Sequence, residues 1–233
     1  MITSLGFDTI AIHADKFYSN IPQTLKIFYE FGIKNFLFIF DYDPLCDFIP
    51  IIKAKMNEFK DFYKRNSTLR INIKCALNLH ISHGAGFNNS IDKLYCNKKS
   101  NALLIAMPLF TDKNYDPIAL DINNLLYKKS AFIILSSFEK IVESSNLEFC
   151  SKFINNPRIG ISADLNYILN PEKEIFFNQV LNTNTLFLPS LSQDVGNYVG
   201  ALSSADYAIK KYGKKKYYYL CSQINKASDK IFT

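Results

Sequence analysis

The chain holds three histidines, His13, His80 and His83, and each lies beside a residue with which it could share a metal ion. In IAIHADKF, His13 and Asp15 form a His-x-Asp pair just after a short apolar run. Imidazole nitrogen and carboxylate oxygen are ordinary ligands of a divalent cation. A loop histidine beside a solvated aspartate is the plainer reading. In FLFIFDYDP, Asp41 and Asp43 pair two carboxylates, which suit a hard cation. Asp before Pro is also ordinary turn chemistry. His80 and His83, in LNLHISHGAGF, are three residues apart, so both rings could reach one ion or simply end a strand. Asp194 in PSLSQDVGN and Asp164 in ISADLN each read as a last ligand or as the cap of a following helix.

Phosphate-cradling loops are excluded, since neither GxxxxGK[ST] nor GxGxxG occurs. Arginine, the usual bidentate clamp for phosphate, occurs only at Arg65, Arg70 and Arg158. The stretch YAIKKYGKKKYYYL interleaves lysine with tyrosine. Lysine contacts to phosphate and base stacking on tyrosine would suit single-stranded nucleic acid. A solvated last helix packed through Tyr207, Ile209, Tyr212 and Leu220 accounts for it as well.

The elements that must position these residues alternate. Apolar runs at Thr9–Ile12, Phe36–Phe40, Ile71–Leu79, Ala102–Met107 and Ala131–Leu135 read as buried parallel strands. Arg158–Ser162 and Thr185–Leu188 are weaker members. Helical spacing marks Thr24–Phe31, Pro50–Tyr63, Ile118–Tyr127 and Glu139–Phe153. Ser82–Ser100, rich in Gly, Asn and Lys, reads as a long loop. Strand and helix in turn predict a parallel sheet with right-handed crossovers. About seven strands predict a distorted (β/α)7-like, TIM-type barrel; periodicity leaves an open doubly wound sheet as the alternative. No linker divides the chain, so residues 1–233 are expected to form one domain.

Composition narrows the class. With 48% hydrophobic residues, the chain has enough apolar material for a large core. Five scattered cysteines without a CxxC pair disfavour a zinc ribbon and predict reduced thiols in a cytoplasmic protein. No signal peptide is expected from MITSLGFDTIAIHADKF, and no run approaches a membrane span. A net charge of +6 permits an acidic partner without requiring one.

In their order, these segments resemble the PHP-type protein-tyrosine phosphatases of bacterial capsule and exopolysaccharide operons, relatives of histidinol phosphatase. IAIHADKF resembles the family's Asp-x-His-x-His opening, and YEFGIKNFLFIFDYDP its helix, Gly turn and second strand. SNALLIAMPLF, YKKSAFIILSSFEK and GISADLNYILNPE resemble later strands. The close, from LSQDVGN through ALSSADYAIKKYGKKKYYYLCSQINKASDKIF, resembles Ser-Asp-x-His-Asn, a helix and a Lys-Tyr-Gly turn.

The resemblance implies a PHP-like barrel and, in an active member, a cluster of Mn, Fe or Zn that makes hydroxide and clamps phosphate. Against that pattern, Ala11 stands for the first aspartate, Asp15 for the second histidine and Asp41 for the histidine after strand two. The bridging glutamate should fall near Leu77 or Asn78, and neither can bridge two cations. Ser137 stands for the histidine of His-Pro-Glu-Arg, although Glu139 and Lys140 keep that motif's charges. Asp194 has no histidine beside it. The resemblance therefore implies a degraded metal site and a pseudoenzyme with no cofactor, binding a protein partner or small ligand at the barrel mouth. A divergent phosphoesterase with one ion on His13, Asp15, Asp41 and Asp194 is the first alternative, with Asp43, His80, His83, Ser137 and Glu139 also near the mouth. The second is an RNA-binding subunit resembling the p30 protein of ribonuclease P.

Overall fold

A computed structural model describes residues 4–13, 21–42, 69–79, 102–107, 130–135, 156–171 and 185–228, with isolated positions between them. Seven strands are described: β1 (Thr9–His13), β2 (Asn35–Tyr42), β3 (Asn72–Leu79), β4 (Ala102–Met107), β5 (Ser130–Leu135), β6 (Ile159–Asp164) and β7 (Leu186–Leu191). Each pairs in parallel with the next in sequence. Ala11 opposite Ser190 and Ile12 opposite Leu191 return β7 to β1, which closes the sheet into a ring. All strands of a parallel ring end on the same side, so one end of the barrel collects their C-termini.

Alternation along the strands assigns residues to two faces, and the interior one mixes small residues with Leu37, Leu186 and Leu188. Thr9, Ala11, Gly160, Ser162 and Ser190 share one face by register, whereas Ile10, Ile12, Phe36, Phe38, Ile161 and Phe187 share the other. Both sets are buried, so the sheet is covered on its two sides. Seven strands leave a narrow interior, and residues with little or no side chain fit it.

Helix α1 (Ile21–Glu30) buries Leu25 and Phe28. It ends where Gly32 takes φ +92°. Gly32 N donates to Tyr29 O at 2.9 Å and Ile33 N to Phe28 O at 3.0 Å, the paired bonds of a Schellman stop. Helix α2 (Leu165–Ile168) is one turn after β6. Helix α3 (Tyr198–Ala208) follows β7, passes through a π-helical turn (Ile209–Gly213), and continues as α4 (Lys214–Ser228).

Helix α4 lies against β3, β4, β5 and β7. One straight helix can touch strands so far apart in the ring only by crossing an open end. Leu220 fixes which end, because a Cβ on Gly160, early in β6, would lie 2.9 Å from Leu220 Cδ1. Helix α4 therefore plugs the N-terminal end and leaves the C-terminal end as the mouth.

Tyr217, fully buried, pins that plug. Its hydroxyl accepts from Thr9 N at 2.7 Å and Asp8 N at 3.0 Å, and donates to Asp8 Oδ1 at 3.0 Å. Asp8 also accepts from Thr9 Oγ1 and from Asn35 Nδ2. Of the residues expected to pack the last helix, Ile209 and Leu220 are buried, but Tyr207 is 59% exposed and Tyr212 only partly covered. The π turn carries more residues per turn than an α-helix, which rotates the later tyrosines and brings Tyr217 inward instead. Among the described residues, no helix is long and apolar enough to cross a membrane.

Candidate functional site at the barrel mouth

The mouth is built from strand ends. His13 closes β1, partly exposed, on the same face as Ala11. Asp41 lies in β2 opposite Asn78 of β3. Asp164 closes β6 and Leu191 closes β7. Because Ala11 pairs with Ser190, and Ser190 with Asp164, these three positions occupy one level of the interior face. The place where the resemblance calls for a carboxylate holds the methyl of Ala11, which has no donor atom.

Asp164 is 7% exposed, and both its carboxylate oxygens accept hydrogen bonds. Oδ1 accepts from Asn166 N at 2.8 Å, capping α2. Oδ2 accepts from Ser192 N at 2.6 Å and also from Ser192 Oγ. The cap reading of Asp164 is thus the structural one, with a second role that the sequence pattern did not show. The carboxylate ties the exit of β6 to the exit of β7. Ser192 was missed because a serine after a strand carries no periodic signal.

Asp194 lies two residues beyond Ser192 and is exposed. It does not cap the helix that follows; Asn197 does, accepting from Gly200 N at 2.8 Å. Ser162, one layer below Asp164 on the interior face, has a buried hydroxyl without a hydrogen-bond partner among the described residues. Asp15, Asp43, His80, His83, Ser137 and Glu139, and the side chain of Asp41, lie outside the described residues.

The described residues do not fit a cluster of metal ions. Ala11 offers no ligand, Asp164 already accepts three hydrogen bonds, and Asp194 stands on the exposed turn. Among the described residues no three His, Cys, Asp or Glu side chains gather where they could hold an ion. The arrangement does tie the exit of β6 to that of β7.

The fold is shared with solved structures. Against the metal-dependent tyrosine phosphatases YwqE from Bacillus subtilis and CpsB from Streptococcus pneumoniae, the match covers 88% of this chain and 85% of the other at 12% identity, with a TM-score of 0.64. Histidinol phosphate phosphatase from Lactococcus lactis, solved with Zn, L-histidinol and phosphate, matches over 88% and 93% at 14% identity and a TM-score of 0.54. A chain of archaeal ribonuclease P, solved with mature tRNA, matches over 94% and 91% at 15% identity and a TM-score of 0.55. No family model and no curated protein matches the sequence. At these identities the likeness is one of architecture: the chain has an α/β fold with a parallel sheet, similar to that of the PHP phosphatases.

Proposed function

We propose that this chain is a single-domain, PHP-like protein without phosphatase activity, whose mouth holds a protein partner or small ligand. The observation that carries this reading is Ala11, which stands on the interior face beside Ser190 where the resemblance calls for a metal-binding aspartate. Asp164, on the same face, has both carboxylate oxygens bonded to Asn166 N, Ser192 N and Ser192 Oγ, which favours a structural role for it. Losing a single ligand or its orienting partner commonly costs about 10–100-fold in affinity or activity. A cytoplasmic setting belongs to the same proposal, since Cys221 is a free thiol.

Metal analysis tests it together with turnover. Protein produced in medium supplied with Mn, Fe and Zn is expected to retain far less than one ion per chain and to release no phosphate from a phosphotyrosine peptide. Near-stoichiometric metal with phosphate release that His13→Ala abolishes would instead establish the divergent phosphoesterase, with one ion at His13, Asp15, Asp41 and Asp194.

A further inference from the structure

In the sequence, most of the net charge falls in the segment that forms α3, the π turn and α4. Residues 198–228 contain six lysines and one aspartate, a net +5 out of the chain's +6. The aspartate, Asp206, is neutralised locally: it pairs with Lys210 at 2.6 Å and accepts from Gly6 N. Lys211, Lys214, Lys215 and Lys226 are exposed. So are Tyr207, Tyr218 and Tyr219, at 59%, 49% and 45%. Positions 215, 218, 222 and 226 recur at helical spacing on the outer side of α4, and Lys211 of the π turn reaches back to Tyr207 of α3, so exposed lysine and tyrosine line this side.

The stripe is ordered. Lys211 Nζ lies 4.7 Å from the Tyr212 ring centroid and 5.4 Å from that of Tyr207, and donates to Tyr207 Oη at 3.2 Å. Tyr218 donates to Gly6 O at 3.2 Å and packs edge-on against Tyr217 at 5.3 Å. Beside Tyr218 a groove of about 480 Å³ runs between α4 and the start of β1 and β2, with Asn35, Ser222, Asn225 and Lys226 on its walls. That volume lies within the ~300–1,000 Å³ of small-ligand sites, so it admits a nucleobase and its sugar.

We propose that this face binds single-stranded nucleic acid, with a base stacked on Tyr218 in the groove and the phosphates on Lys211, Lys214, Lys215 and Lys226. Stacking on tyrosine beside a lysine track binds a strand without sequence preference. Among the described residues, tyrosines and Val199 are the large hydrophobics exposed on this face, with no leucine, isoleucine or phenylalanine, so an acyl-chain surface has little to bury here. An acidic peptide would use the lysines but leave the tyrosine rings without stacking partners.

Fluorescence anisotropy of the full chain with a labelled oligouridylate of about 20 nucleotides, long enough to span several contacts, tests the proposal. Four lysine contacts predict a slope of log K against log salt of about −3. Lys211→Glu with Lys215→Glu is expected to weaken binding more than ~10-fold and flatten that slope. Tyr218→Ala is expected to cost about 5- to 150-fold, the loss of one stacked base, with the slope unchanged. Circular dichroism confirms that each variant is folded. His13→Ala, at the opposite end, is expected to bind as the parent does. No anisotropy change at low salt, affinity unchanged in the lysine pair or in Tyr218→Ala, an equal loss in His13→Ala, or binding to anionic vesicles but not to the oligomer overturns the proposal.

Discussion

At the scale of single residues, two polar side chains hold opposite ends of the barrel. Tyr217 serves the plugged end. Removing its hydroxyl strands Asp8 N and Thr9 N in a buried place, so Tyr217→Phe is expected to lower stability by about 1–3 kcal/mol in urea denaturation. Burial also raises the Tyr217 phenol above its ordinary 10.0 and pushes the neighbouring Cys221 thiol from 9.0 up to about 11. Both groups are therefore held neutral by the fold. The stability this provides is complete below the thiol's ordinary 9.0 and is lost as pH rises through about 11. The urea midpoint is expected to fall across that window, and less steeply in Cys221→Ala. Asp164 serves the mouth. Asp164→Ala removes a helix cap and the clamp on Ser192, and is expected to cost about 2–4 kcal/mol in the same assay. Neither role shows in the sequence alone. A tyrosine hydroxyl bonded to backbone 208 positions away has no local signature, and ISADLN gives Asp164 a cap or a ligand role with equal ease.

At the scale of elements, glycine positions separate crowding from backbone freedom. Gly160 faces Leu220 across the plug, so Gly160→Ala inserts a methyl 2.9 Å from Leu220 Cδ1. The expected loss is about 1–3 kcal/mol, reduced when Leu220→Ala makes room. Gly32 has nothing within 4 Å of its missing Cβ but sits at φ +92°, so Gly32→Ala is expected to cost about 1 kcal/mol, and no second substitution relieves it. The strands were legible because apolar runs such as Phe36–Phe40 admit few other readings, and Ala102–Met107 matches its strand end to end. Boundaries moved where polar residues pair in the ring: β6 continues to Asp164, and β7 runs through Pro189 to Leu191. The helix read over Thr24–Phe31 begins earlier, at Ile21, since Pro22 is tolerated in a first turn. The packing face of the last helix was misread for a definite reason: one π turn breaks the 3.6-residue count between Tyr207 and Tyr217. Glu139–Phe153 and the loop read at Ser82–Ser100 lie outside the described residues.

At the scale of the whole molecule, the barrel separates two chemistries. Its mouth carries His13 and the Asp164–Ser192 clamp, and its plugged end carries the lysine and tyrosine stripe. Substitutions at the two ends share no contacts among the described residues, so their effects on stability are expected to add within about 0.5 kcal/mol. His13→Ala combined with Lys215→Glu, compared with each alone in urea denaturation, checks this.

The pairing of β1 with β7 also sets a schedule for biosynthesis. While the chain is still leaving the ribosome, β1 has β2 on one flank and no neighbour on the other until residues 186–191 emerge. The end plug arrives later still, because Tyr217 must reach back to Thr9. Through most of translation the nascent sheet therefore displays a raw edge, the kind of surface on which strands of separate chains join. Chaperone capture of released fragments ending before residue 186, and its decline in fragments that extend past 217, would follow from this geometry.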